Sequence, residues 1–554
     1  MSKKKKGEEE EEKKHDFWYT QPVAHSEKDM AKSFEEIREI QTEDVKAIAK
    51  ATRQPFRLPE GLEWNELDDA IPAQLDELYI LLAENYVEDQ SSWFAFNYDR
   101  KTIRWAIAPP GTGKDWKLGI RSKLDNQLLG FISATPTDVQ VRGNVKRLVI
   151  IDFLCVHRTI RQHRLAPVMI SEICRRVNVR GIFQAVYTAG AQLPTPWTTA
   201  RYFHRSINVS KLIDVKFTHM PRNMTMAATN KLYRVEETAQ IKGWRPFKAQ
   251  DAAQVLQKMN RFLTEYFPIS TVFHSQAEII HLFTNRPGIV YSFVVEDRDH
   301  PIIESAEEGE KKEEVKAEKE KETPISQTSQ TVKQSEQQQI EGETGGKKGK
   351  KRRRRKKKKS DQQKEEGEED DADDKEDEDV NEKEKEKETP QETTKQPTHI
   401  DPTSDKKGKK QNLIYPITDF ISFYIVNSAC SGHPKYKSIS VGYLFYYFYT
   451  PRYSSSSQVP SSTSTSIIPY SSSSYSIIPP TFPPGSGILI DLVRDILVEA
   501  KKADVDVFNV LDVMHNKMLF DELKFSPGDG KLNYYFYNLV TPKVQPEQSA
   551  IILV

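Results

Sequence analysis

The sequence predicts an α+β chain built of two similar halves. Three observations predict it. A helical stretch, a meander of short strands, a second helix and a further strand occur in order, and the same order then recurs. The halves share a short echo, GFISA (130–134) against DFISF (419–423). A segment dominated by Glu, Lys, Gln and Asp, 301–410, interrupts the second half without adding apolar pattern of its own. Such a segment cannot bury enough apolar surface to offset its ordering entropy.

The elements follow in order. MSKKKKGEEEEEKK (1–14) reads as a disordered charged tail. IPAQLDELYILLAENYV (71–87) sets Leu75, Leu78, Leu82 and Tyr86 near helical spacing. FAFNY (94–98), IRWAIA (103–108), WKLGIRS (116–122), LLGFISA (128–134) and LVIIDFLCV (148–156) read as strands, and their closeness suggests an antiparallel meander. APVMISEICRRV (166–177) reads as a helix, with Pro167 in its first turn and Met169, Ile173 and Val177 as the buried face. GIFQAVYT (181–188) is another strand. In the second half, RPFKAQDAAQVLQKMNRFLTEY (245–266) reads as helical, and GIVYSFVVED (288–297), ITDFISFYIV (417–426) and GYLFYYFYT (442–450) as strands. A Ser/Pro-rich stretch, 452–486, reads as an expanded surface loop. ILIDLVRDILVEAKKA (488–503) is an amphipathic helix and KLNYYFYNLV (531–540) a late strand.

At about 150 residues per domain, the 554-residue chain has room for three or four domains. Setting aside 1–14, 301–410 and 452–486 leaves 395 residues, enough for one large or two medium domains. The expected boundaries are 15–235 for the first half, and 236–300 with 411–554 for the second. The chain holds 81 basic and 81 acidic residues, so its balance alone says nothing about nucleic acid. No run of 18 apolar residues exists, so no transmembrane helix or stable membrane insertion is expected. The charged start lacks the apolar core of a secretory signal, and the three cysteines are odd in number and far apart. These features favour a reducing, cytoplasmic setting and no metal site.

Two stretches invite a chemical reading. APPGTGKD (108–115) nearly spells a phosphate-cradling loop. However, Ala108 stands where the first Gly belongs, and Asp115 replaces the magnesium-holding hydroxyl and would repel a triphosphate. A Pro–Gly turn between strands is the expectation. FLCVHRTIRQHRLAPVMI (153–170) is different: a strand ends at Val156, a loop carries Arg158, Arg161, His163 and Arg164, and a helix opens at Ala166. Strand, basic loop and helix N-terminus together make an anion site. The spacing Arg161, Arg164, Ala166 is close to the pyrophosphate loop of acyl-CoA N-acyltransferases, with Arg164 in place of the usual Gly.

The chain as a whole resembles the N-myristoyltransferase (glycylpeptide N-tetradecanoyltransferase) family. The matching runs are FWYTQPV (17–23), ELYILLAENYVED (77–89), DFLCVHRTIRQHRLAPVMI (152–170), GIFQAVYTAG (181–190), RYFHRS (201–206) and RNMTM (222–226). DFISFY (419–424), DVFNVLDVM (506–514) and GDGKLNYYFYN (528–538) continue in family order. The resemblance implies two acyl-CoA N-acyltransferase-like halves, related by a pseudo-two-fold around a mostly antiparallel central sheet. The first would hold myristoyl-CoA as co-substrate and the second would bind the peptide. The reaction implied is direct transfer of myristoyl to the α-amine of an N-terminal glycine on peptides or nascent proteins.

Residue roles are carried over from the resemblance. Phe17 and Trp18 would cover the CoA. Phe153, Leu154, Cys155 and Val156, with Gln162, Arg164, Leu165 and Ala166, would contact its thioester and phosphates. The N–H groups of Phe153 and Leu154 would hold the oxyanion, and the carboxylate of Val554 would be the base. Asp529 precedes Val554 by 25 residues, as the family length implies. Tyr86, Asp89, Phe94, Phe96, Thr188, Tyr202, His204, Ser428, Tyr443, Asn509 and Asp529 would line the peptide groove, with His204 as a wall and Cys155 an inert thiol. Asp152 stands where the family usually has Asn. A charge there would oppose the oxyanion, so it should be protonated or turned away. The thinner acidic run VEDQSS (87–92) implies weaker recognition of a downstream basic residue.

GGKKGKKRRRRKKKKS (345–360) and the acidic block EEGEEDDADDKEDED (365–379) read either as a tether to ribosomal RNA or another anionic surface, or as a self-neutralising segment. A monomer is expected. The reading from a different class is a homologue with altered catalysis that serves as a ribosome- or RNA-tethered interaction protein.

Overall fold

The computed structural model describes residues 16–41, 54–87, 93–301, 414–451 and 487–554. The tail 1–14, the inserts 301–410 (Pro301 apart) and 452–486, the block 345–360 and the run 88–92 with Asp89 lie outside the described residues.

Local sequence sets the elements. The first half runs β1 (Leu62–Glu66), α1 (Pro72–Asn85), β2 (Phe94–Asn97), α2 (Arg100–Ile107), β3 (Lys117–Ser122), β4 (Leu128–Val141), β5 (Asn144–Val156), α3 (Leu165–Val179), β6 (Ala185–Ala189) and β7 (Thr198–Ser206). The second runs β8 (Trp244–Pro246), α4 (Ala252–Tyr266), β9 (Ile269–Val272), α5 (Gln276–Phe283), β10 (Val290–Glu296), β11 (Ile417–Cys430), β12 (Ser438–Phe448), α6 (Gly487–Lys502), β13 (Val507–Leu511) and β14 (Ser526–Tyr537). These strands and longer helices correspond one to one; the short helices Asp16–Tyr19, Val209–Asp214, Met226–Leu232 and Leu519–Glu522 stand outside the correspondence, and β15 (Ser549–Ala550) is the last strand.

Three local readings are corrected. IRWAIA is the body of α2, not a strand. Its residues 103, 105 and 107 satisfy a period of two, but Ile103 and Ile107 equally satisfy a helical stripe, and the Asp99 side chain accepts from the Lys101 and Thr102 N–H groups to start the helix. Trp244–Pro246 is a strand paired with β10, so the following helix begins only at Ala252. The helix after the basic loop opens at Leu165, one residue early. The phosphate-loop look-alike is a turn, with Gly111 at φ 87°. It leads through one 3-10 turn, Lys114–Trp116, into β3, and the carboxylate of Asp115 pairs with Arg180.

Fifteen strands of the described residues join one sheet, twelve of them in the order β1-β3-β4-β5-β6-β14-β7-β13-β12-β11-β10-β8, with β2, β9 and β15 paired off this path. It is antiparallel except at β5–β6, β12–β13 and β15–β9. The halves exchange strands. β14 of the second half lies between β6 and β7 of the first, β2 pairs β11, and β9 pairs β4. Each half also contains a parallel β–α–β crossover, β5–α3–β6 and β12–α6–β13. The echo seen in sequence lies on β4 and β11, and each copy contains a register slip against its neighbour, at Phe131/Ser133 and at Ile421/Phe423.

Packing follows the periodicities. Met169, Ile173 and Val177 of α3 are buried over Ile132 and Val149 of the sheet. Leu75, Leu78 and Leu82 of α1 join the larger cluster with α4, α5 and α6. Helix α3 is further fixed by Glu172, which is fully enclosed and paired with Arg175 and Arg176 at 2.6 and 2.8 Å. A buried carboxylate persists in such a place only when it is paired and hydrogen-bonded. Glu172 also accepts from the Phe56 N–H at 3.0 Å and Arg176 pairs with Glu66 at 2.6 Å, so the helix is tied to β1 and to the chain before it.

Candidate active site

The site is built around a break in β5. The ladder matches Phe131 with Cys155 and Ser133 with Asp152, which leaves Phe153 and Leu154 together opposite Ile132. One extra residue on one strand is a β-bulge. Phe153 takes φ 55°, a conformation that costs a non-glycine residue about 1–2 kcal/mol. Its ring is held there by burial, 5.8 Å from Tyr86 and 5.2 Å from Tyr98. Beside it, β5 and β6 pair only at Val149↔Ala185 and Ile150↔Val186 and then part. The bulge thus lies where the sheet opens.

The loop after β5 is a 3-10 turn, Arg158–His163, started by the His157 side chain, which accepts from the Thr159 N–H. Arg164 sits at φ 51° and precedes α3 without a side-chain cap. That left-handed position accounts for the glycine usual in acyl-CoA loops: glycine enters it without a Cβ penalty. Gln162, His163 and Arg164 are exposed, whereas Leu165 is buried. Arg161 is a correction to the anion-site reading. Its guanidinium bonds the Val156 carbonyl at 3.1 Å and the Asn85 carbonyl at 2.6 Å, so it ties the loop to the end of α1. The uncapped helix start remains a place for an anion. Phe17 and Trp18 lie at the rim of this opening. Trp18 stacks on Tyr187 at 5.3 Å, and Tyr187 on Tyr535 at 5.2 Å.

The groove residues fall on adjacent strands. Phe96 of β2 is opposite Ser428 of β11, whose hydroxyl donates to the Ala95 carbonyl at 3.3 Å. Tyr443 of β12 is opposite Asn509 of β13, which in turn is opposite His204 of β7. Tyr202 and Leu511 pair next along the same two strands, and Thr188 of β6 faces Tyr534 of β14. His204 Nδ1 stands 2.7 Å from Asn509 Oδ1, an oxygen that can only accept, so the ring proton is on Nδ1. Burial lowers the His204 pKa, against the opposing pull of Asn509 and of Asp529. The imidazole therefore stays neutral at pH 7, a wall and not a cation. Gly528 makes this possible: a Cβ there would stand 2.0 Å from His204 Nε2. Asp529 is exposed beside it, and Phe94 packs edge-on to Phe217 at 5.6 Å.

The end of the chain enters the same region. Ile551, Ile552 and Leu553 are buried and Val554 is half-buried. The Tyr446 hydroxyl accepts from the Ile552 N–H at 3.0 Å, and the Tyr424 hydroxyl donates to the Leu553 carbonyl at 3.4 Å. Tyr424 stacks on Tyr443 at 5.2 Å and interacts electrostatically with Tyr98, whose ring lies against Phe153. A cluster of phenols, with Tyr98, Tyr424 and Tyr443 buried and Tyr86 and Tyr202 half-buried, therefore runs from the bulge to the last residues. Burial raises all five pKa values, so the cluster is neutral near pH 7.

Two further groups have altered acidity. Burial pushes Asp152 up to about 7. It pushes the Cys155 thiol up to about 12, with a smaller opposing pull from Arg161. Cys155 is thus a thiol and not a nucleophilic thiolate at neutral pH. Of the residues this arrangement uses, Tyr98, Tyr424, Tyr446, Asn85 and Gly528 were not singled out in sequence. Each is an ordinary strand, helix-end or turn residue, and only its non-local partner distinguishes it. Among the described residues no group of three or more His, Cys, Asp or Glu could hold a metal, and no helix is long and apolar enough to cross a membrane.

Known proteins resemble the chain in sequence and fold. The profile of the myristoyl-CoA:protein N-myristoyltransferase N-terminal domain matches residues 41–200, and that of the C-terminal domain matches 214–306 and 409–551. A glycylpeptide N-tetradecanoyltransferase of Drosophila melanogaster is 33% identical over 543 residues, 98% of this chain and 81% of that protein. A probable glycylpeptide N-tetradecanoyltransferase of Caenorhabditis elegans is 31% identical over 537 residues, 97% of this chain and 85% of that protein. A crystal structure of Saccharomyces cerevisiae N-myristoyltransferase with bound myristoyl-CoA superposes with a TM-score of 0.66 at 28% identity, covering 96% of this chain and 90% of that one. With both domain profiles matched and a relative 33% identical over 98% of this sequence, the chain belongs to the myristoyl-CoA:protein N-myristoyltransferase family.

Proposed function

We propose that the chain transfers the myristoyl group of myristoyl-CoA to the α-amine of an N-terminal glycine, by direct attack on the thioester. The observation that carries this is the β5 bulge at Phe153, opened toward a phenol-lined groove that also receives the chain end. In this reading 15–235 holds the acyl-CoA. Segments 236–300 and 411–554 complete the peptide groove.

The steps follow from the groups present. The N–H groups of Phe153 and Leu154 take the thioester oxygen and stabilise the charge that develops on it. One such donor is typically worth about 2.7–4 kcal/mol in the transition state. The uncapped start of α3, with Gln162, Arg164, Leu165 and Ala166, takes the CoA phosphates, while Phe17 and Trp18 cover the cofactor. The half-buried carboxylate of Val554 takes the proton of the amine. The amine, with an α-amino value of about 7.7–8.0, is partly neutral at pH 7 and needs a base for the proton it loses on attack. Tyr86, Asp89, Phe94, Phe96, Thr188, Tyr202, His204, Ser428, Tyr443, Asn509 and Asp529 position the peptide. A cytoplasmic monomer suits an enzyme that acts on nascent chains. The basic run 345–360, on sequence alone, would tether it to ribosomal RNA.

Four outcomes are expected. A peptide beginning with Gly yields myristoyl-peptide by mass spectrometry, and the same peptide beginning with Ala yields none; no product from the Gly peptide would sink the reading. Residues appended after Val554 lower turnover about a hundredfold or more, the scale of a lost general base, with acyl-CoA affinity within about twofold. Unchanged turnover would remove Val554 from the mechanism. Cys155 in the native protein resists iodoacetamide at pH 8 while an unstructured thiol peptide is alkylated; rapid alkylation would contradict its inert role. Deleting 345–360 abolishes co-sedimentation with ribosomes in low salt, and retention of the variant would leave the run without that role.

A further inference from the structure

We propose that the Asp152 carboxyl, in its neutral form, is a third hydrogen-bond donor to the thioester oxygen that develops charge at the Phe153–Leu154 bulge. The inference rests on the transfer reading above and adds a residue to it.

Asp152 immediately precedes the bulge. Its backbone is fixed, because the Ser133 hydroxyl on β4 donates to the Asp152 carbonyl at 3.1 Å. Among the described residues, no hydrogen bond or ion pair reaches its carboxyl. The carboxyl acts instead on two phenols, Tyr86 from the end of α1 and Tyr98 after β2, whose pKa values it raises. Both phenols are packed on the bulge itself, their rings 5.8 Å (Tyr86) and 5.2 Å (Tyr98) from the Phe153 ring. The carboxyl therefore acts on the space immediately beside the bulge, and a substrate oxygen held by the bulge amides comes under it.

The surroundings decide which form of the carboxyl is present. The titratable neighbours are Tyr86 and Tyr98, Cys155 on the same strand, and beyond Tyr98 the hydroxyls of Tyr202 and Tyr443, with the chain end past Tyr424. The phenols and the thiol are neutral near pH 7, and the chain end is an acid. Arg161 is the cation that acts on this corner; it acts on Cys155 and is already bonded to the Val156 and Asn85 carbonyls. With no cation among the described residues acting on it, burial raises Asp152 to about 7. A carboxylic acid kept neutral by an apolar site can donate a hydrogen bond to an oxyanion, whereas the ionised form repels it. An amide of the same shape donates at every pH.

The test measures turnover of the full chain from pH 6 to 9, with myristoyl-CoA and a Gly peptide, for the wild type, Asp152→Asn and Asp152→Leu. Titration of the amine is common to all three and cancels in their ratios. The Asp152→Asn to wild-type ratio should rise about tenfold or more between pH 6 and 8.5, as the carboxyl loses its proton. Asp152→Leu, without a donor, should be about tenfold or more slower than Asp152→Asn throughout. A flat ratio overturns the inference, and so does a leucine variant equal to the asparagine one.

Thermal melting gives a reading independent of catalysis. An acid raised from 3.8 to about 7 by folding costs the wild type stability as pH climbs through that window. Asp152 is half-buried, and the melting advantage of Asp152→Asn should therefore grow between pH 5 and 8; a constant difference would count against the neutral acid. Absence of acyl-peptide from all three proteins overturns the transfer reading. Normal turnover with matching pH profiles overturns only the role of Asp152.

Discussion

Everything at this site depends on one backbone irregularity, the extra residue that β5 carries at Phe153–Leu154. A regular ladder would commit these amides to β4. The slip opposite Ile132 takes them out of register, and the left-handed turn at Phe153 re-aims the chain. The local cost is offset by burial of the Phe153 ring between Tyr86 and Tyr98. Polar backbone exposed at the mouth of an opened sheet is a preorganised donor, because no reorganisation is needed when charge appears.

The pseudo-two-fold explains why the bulge stands over a groove. Since β14 lies between β6 and β7, and β7 beside β13, the halves share one sheet and cannot be separated without unpairing it. Adjacent strands of both halves then bring Thr188, Tyr202, His204, Tyr443 and Asn509 to neighbouring positions. The second half has its own register slip, on β11 against β12. There the Ser422 hydroxyl donates to the Tyr446 carbonyl at 2.8 Å, much as Ser133 does to Asp152 in the first half, and the Tyr446 hydroxyl receives the last residues of the chain. The two irregularities thus differ: beside one the sheet parts, whereas the other is filled by the protein itself.

The electrostatic character of the groove follows from what is buried in it. Phenols, a neutral imidazole, an unreactive thiol and a raised carboxyl carry little charge at neutral pH. Such an interior suits an uncharged thioester and a neutral attacking amine. It also strengthens any dipole aimed at a developing charge, because water does not compete.

The amino-acid sequence by itself determined the duplicated order of elements, the buried faces of α1 and α3, the end of β5 at Val156 and the family. Those signals are local periodicities or contiguous motifs, which survive without knowledge of partners. It did not determine that IRWAIA is helical, because three apolar residues at alternate positions fit both periods and the Asp99 cap decides between them. Nor did it determine that Arg161 bonds carbonyls instead of waiting for an anion, or that Tyr98 and Tyr424 bridge the bulge and the chain end. Those facts belong to tertiary structure, since the groups concerned lie far apart along the chain. Burial, which sets their acidity and leaves Asp152 without a counter-charge, exists only once the two halves have exchanged strands.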